Sequence, residues 1–105
     1  HYSADVDSPA TQAFIARYKQ TYGQAPDALA ALGYDGTLIV AKALEAAGST
    51  DPEALKQALG TVSGIEGVTG TINMDPEGTP IKSAVILKIT GGQWELVTRI
   101  DPVGR

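Results

Sequence analysis

The sequence predicts an α+β chain: three helices followed by a short, mostly antiparallel sheet that ends in a hairpin. Three observations carry that expectation. Residues 26–48 (PDALAALGYDGTLIVAKALEAAG) hold the longest apolar pattern, with Lys42 as the one charge between Asp35 and Glu45. Helix-start signals, Ser8-Pro9 before that stretch and Thr50-Asp51-Pro52-Glu53 after it, mark two more helices. From Ser63 onward, glycines and β-branched residues replace helical spacing.

In chain order, His1 to Asp7 is polar and unpatterned and reads as a connecting segment. Serine at position 8 can cap exposed N–H groups, and proline is favoured at the first helical position. Phe14, Ile15, Tyr18 and Tyr22 then share one face of a helix that Gly23 should end. After the short link Gln24-Ala25, Pro26 is expected to open the central helix, about 22 residues and roughly 33 Å long. Leu29, Leu32, Gly36, Ile39, Ala43 and Ala47 recur at spacings of three and four, the expected buried stripe. Leu38, Val40 and Leu44 widen it, so burial over much of the circumference is expected. Gly33 and Gly36 are costly inside a helix, which predicts close approach of another element or a border on a ligand cleft.

Leu55, Ala58, Leu59 and Val62 supply the apolar stripe of the third helix, stopped near Gly60. Gly64, Gly67 and Gly70 give a glycine-rich entry to a strand over Gly70–Met74. Asp75-Pro76-Glu77-Gly78 is a turn. Ser83–Thr90 and Gln93–Ile100 pair around Gly91-Gly92 as a hairpin. Alternation on the return strand sets Trp94, Leu96 and Thr98 against Glu95, Val97 and Arg99, suggesting one covered and one wet face. The organisation is therefore one partial domain, 1–105: a helical part over 1–62, a crossover region over 63–82 and a hairpin over 83–101.

At 43% hydrophobic residues the chain can bury a core, which argues against disorder. Net charge is −4, with eight scattered basic residues and no basic stripe, so nucleic acid is not an expected partner. Absence of cysteine removes disulfides and thiolate chemistry. Histidine at position 1 follows no initiator Met, so the chain is expected to be processed or excised from a longer one. The central helix is more apolar than its short neighbours can cover. The missing cover should come from the rest of a larger chain or from a second copy, and self-association into a homo-oligomer is expected.

Enzyme readings find no footing. His1 has no partner pattern, Asp75 and Glu77 share an ordinary turn, and the glycines precede a strand rather than a helix. No cofactor, catalytic residue or metal site is expected. Asp35 stands out in a nearly uncharged stretch. Its ordinary place is a narrow exposed strip of the helix; buried, the carboxylate would need donors or a ligand cation. Tyr34 beside it is an ordinary core aromatic with its hydroxyl at the rim.

The ordered set PATQAFIARYKQTYGQAP, ALAALGYDGTLIVAKALEAAG, STDPEALKQAL, GVTGTINMDPEGTP and GGQWELVTRIDP resembles one family over nearly the whole chain. It is similar to the C-terminal third of the type I extracytoplasmic solute-binding proteins of ABC transporters, in the branched-chain amino acid (leucine/isoleucine/valine-binding) branch. The resemblance implies an α/β parent of two lobes that close on a solute about a hinge, with this chain giving helices to one lobe and a hairpin to the other. It implies a periplasmic receptor that delivers an amino acid or similar small carboxylate to an ABC permease. Tyr34 and Asp35 match the family's GYD position and would form part of one cleft wall; Gly67 and Gly70 of GVTGTI would serve the hinge. The loops that supply most contacts in such folds lie at strand ends this chain lacks. The rival expectations are a self-associating structural fragment without solute binding and the ligand-sensing ectodomain of a signalling receptor.

Overall fold

The computed structural model describes residues 2–103. Helix α1 spans Pro9–Tyr22, α2 Ala28–Ala47 and α3 Pro52–Leu59. They are followed by strands β1 (Ile65–Gly67), β2 (Gly70–Met74), β3 (Pro80–Ile81), β4 (Ala84–Thr90) and β5 (Gln93–Ile100). The strands form two antiparallel sheets rather than one: β1-β2-β3 and the hairpin β4-β5.

Each helix starts where a short polar side chain can take an orphan N–H group. Ser8 Oγ accepts from the Thr11 amide, and Gly23, at φ 76°, closes α1 by donating to the Lys19 carbonyl. The central helix starts at Ala28 rather than Pro26, because the Asp27 carboxylate caps it, accepting from the Ala30 amide at 2.8 Å. Pro26 is instead buried ahead of the helix, with its carbonyl accepting from the Tyr2 hydroxyl. In α3 the cap is Asp51, one residue later than the Thr50 capping box expected from sequence, and its carboxylate reaches the Ala54 amide at 3.2 Å.

Ala43, Ala58, Val62, Ile65 and Ile72 form the core, with Leu38, Ile39, Ala47, Leu55, Leu59 and Met74 packed on them. The C-terminal half of α2 therefore buries the expected stripe, while its N-terminal half does not. There the buried residues are Ala31 and Asp35, and Leu29 is 76% exposed. The cause is local: the β1–β2 turn presents amide donors to α2, so the helix turns its carboxylate and small residues towards it. Leu29, Leu32 and Val40 stay open, and nothing lies within 4 Å of a side-chain position at Gly33 or Gly36. Within this chain α2 is covered on one side, not over most of its circumference.

In the hairpin, Gly91 and Gly92 both take positive φ, 57° and 80°, the backbone that a tight two-residue turn requires. The register shifts between Ile86 and Leu87, where β5 carries Val97 as an extra residue. Leu87 pairs with Leu96 but Ile86 pairs with Thr98. This bulge moves Thr98 off the face shared by Trp94 and Leu96 and overturns the simple alternation read from sequence. Both faces are largely open: Ile86, Ile89, Val97 and Ile100 are exposed, and Trp94 is 69% exposed.

Candidate functional site

The most highly organised polar cluster lies where α2 meets the β1–β2 turn. Gly67 pairs with Gly70, leaving Val68 and Thr69 as the two-residue connection. Neither takes positive φ, so this is not the primed turn that such short hairpins favour; Gly70, at φ 115°, absorbs the mismatch. A turn of this kind points consecutive N–H groups the same way, a concave donor set suited to an anion. Asp35 supplies that anion. Its Oδ1 accepts from the Val68 amide at 2.8 Å and its Oδ2 from the Thr69 amide at 2.9 Å. The Thr69 hydroxyl also donates to Oδ2.

Two more side chains complete the cluster. The Thr11 hydroxyl, on α1, donates to the Val68 carbonyl at 2.9 Å. The Lys82 ammonium, just past β3, donates to the Thr69 hydroxyl oxygen, making a relay from Lys82 through Thr69 to Asp35. Burial pushes the pKa of Lys82 below the ordinary lysine value, against the opposing attraction of the Asp35 carboxylate. Among the described residues, every buried side-chain nitrogen or oxygen has a partner.

Asp35 is 2% exposed, so the exposed-strip placement is overturned, and the donors its burial demands come from the turn. Gly67 sits against it: a side-chain carbon there would lie 2.7 Å from Asp35 Oδ2. Tyr34 takes the neighbouring face and is half-exposed rather than core. Its ring packs on Phe14 at 4.9 Å, and the series continues through Tyr18 and Tyr22. These rings, with Arg17 and Glu66, line a groove of about 520 Å³ between α1 and α2. The structure thus joins Asp35, Gly67 and Gly70 in one cluster and sets Tyr34 apart on the groove. His1 lies outside the described residues. Thr11, Thr69 and Lys82 carry no sequence signal of their own; only the buried charge at Asp35 calls for donors, and it does not say from where.

Comparison with known proteins gives a consistent answer. A family model described as periplasmic binding protein matches residues 1–93. The leucine-binding protein LivK of Thermotoga maritima is 35% identical, with a TM-score of 0.87, over 97% of this chain and 29% of its own. The branched-chain amino acid transporter substrate-binding protein LivJ of Streptococcus pneumoniae, solved with isoleucine, is 29% identical, with a TM-score of 0.84, over 96% of this chain and 29% of its own. A solute-binding protein of an ABC transporter from Rhodopseudomonas palustris, solved with 3,4-dihydroxybenzoic acid, is 29% identical, with a TM-score of 0.82, over 95% and 29%. A comparison with curated protein sequences gave no match. The chain spans about three-tenths of the length of these solved structures, 29% in each. No helix among the described residues is long and apolar enough to cross a membrane. The α+β arrangement is thus a section of the type I periplasmic binding protein fold, and the chain belongs to the periplasmic binding protein family.

Proposed function

We propose that the chain is the C-terminal third of an extracytoplasmic solute receptor that delivers an amino acid or similar small carboxylate to an ABC permease. The observation that carries the reading is the match to receptors solved with isoleucine and with an aromatic acid, each extending well beyond this chain. The open face of α2 at Leu29, Leu32 and Val40 and the open hairpin fit helices and strands built to be covered by the rest of such a receptor. In this reading 1–62 belongs to one lobe, 63–82 is the crossover and 83–101 belongs to the other. Tyr34 forms part of one cleft wall, Asp35 fixes the turn behind it, and Gly67 and Gly70 form the fixed side of the hinge. Solute acts by binding the closed arrangement better than the open one, which shifts the population towards closure. The reading makes the protein a carrier and not an enzyme.

Calorimetric titration of the complete receptor with leucine, isoleucine, valine and benzoate tests this. Saturable binding of at least one of them is expected, and heats no larger than dilution for all four would overturn the assignment. The chain by itself is expected to give no measurable heat. The same open faces favour a second reading, self-association of the chain without any solute. Light scattering after size exclusion is expected to give a mass at least twice that of the 10.9 kDa chain; a clean monomer would contradict self-association.

A further inference from the structure

The three-stranded sheet ends at Ile81 and the hairpin begins at Ala84, with no ladder joining the two sheets among the described residues. The backbone link between them is Lys82-Ser83. Rotation of the hairpin against the helical part is absorbed by a few residues lying outside regular elements, and this pair is so placed. The Gly67–Gly70 turn is held to α2 by Asp35 and to α1 by Thr11, so it moves with the helices.

Lys82 belongs to the link, yet its side chain does not run out to solvent as a lysine of this length ordinarily does. It bonds Thr69, which bonds Asp35, a buried residue of α2 that also accepts from two turn amides. Burial works against its charge there, so the placement needs a compensating interaction. The relay supplies one. Among the described residues, the hairpin itself reaches the helical part through an exposed bond from the Leu96 amide to Asp5 Oδ2 at 3.3 Å. We infer that Lys82 is a positioning residue: through Thr69 and Asp35 it latches the crossover and sets the angle at which the hairpin meets the helical part. Its use in lobe closure rests on the receptor reading; its effect on the hairpin angle does not.

Absence of native cysteine permits two spin labels, at Gln20→Cys on α1 and Gln93→Cys on β5, both exposed positions. The distance between them, read by electron double resonance on the full chain, is expected to be a single narrow distribution. Lys82→Met and Thr69→Val should each broaden it and add a second population, and Thr69→Ser, which keeps the hydroxyl, should restore it. Asp5→Ala should leave it narrow. A distribution unchanged in both Lys82→Met and Thr69→Val, with circular dichroism intact, would overturn the latch. Thr69→Val leaves both charges in place and carries the test should Lys82→Met not fold. Broadening in a protein whose complete form binds no solute would sink the receptor reading alone. Solute binding with unchanged distances would sink the latch alone.

Discussion

Asp35→Ala is expected to leave the chain largely unfolded at room temperature. The carboxylate is the acceptor for the Val68 amide, the Thr69 amide and the Thr69 hydroxyl, and all of them are buried. Alanine offers no acceptor, so the buried donors of the turn lose the partner they have in the native chain. Removing one side of a buried charged network costs about 3–5 kcal/mol. Domains span about 5–15 kcal/mol, and a chain with so small a core stands at the low end, where this loss is most of the stability. The loss also strands the Lys82 ammonium, already disfavoured by burial. Urea unfolding followed by far-ultraviolet circular dichroism should show a midpoint near zero denaturant. Asp35→Asn keeps the shape and one acceptor oxygen, and should recover part of the loss. Hydrogen exchange gives a local check, since the Val68 and Thr69 amides should lose protection before the core does. An unchanged unfolding midpoint in Asp35→Ala would refute the role assigned to the carboxylate.

The same residue shows how far sequence reasoning reaches. Asp35 was conspicuous as a charge in an apolar helix, but periodicity could not say which way it faced. Its donors lie 33 and 34 positions away, in a turn whose geometry is not encoded by helical spacing. The long patterned elements were legible: β2 and β5 have the bounds their composition implies, and α1, α2 and α3 end where glycines stand. Strands β1 and β3, with three and two residues, are too short to show an alternation and were invisible. The hairpin faces depart from simple alternation because a single bulge reverses it beyond Leu96, and nothing in the residues around Val97 announces one. For α2, hydrophobicity marked surface to be covered, but this chain covers only one side of it, leaving Leu29 and Val40 open.

Gly67→Ala is expected to destabilise the chain by about 3 kcal/mol, at the upper end of ordinary overpacking. The added carbon would stand 2.7 Å from Asp35 Oδ2, 2.8 Å from its Cγ and 2.8 Å from its Oδ1. A flexible side chain could swing away, but this one is short and bonded to the turn through both oxygens. Backbone conformation gives no second reason, because Gly67, unlike Gly70, does not take positive φ. The clash is therefore with one side chain, and removing that side chain should remove it. In an Asp35→Ala background stabilised by a low concentration of osmolyte, Gly67→Ala should cost only about 1 kcal/mol, giving a coupling of about 2 kcal/mol between the two positions. Gly70→Ala provides the contrast. A carbon there meets Ser83 Oγ at an ordinary 3.5 Å, while φ 115° strains any other residue. Its cost should be the same whether or not Asp35 is present. Equal penalties for Gly67→Ala in both backgrounds would show that the glycine serves the backbone and not the close approach of the carboxylate.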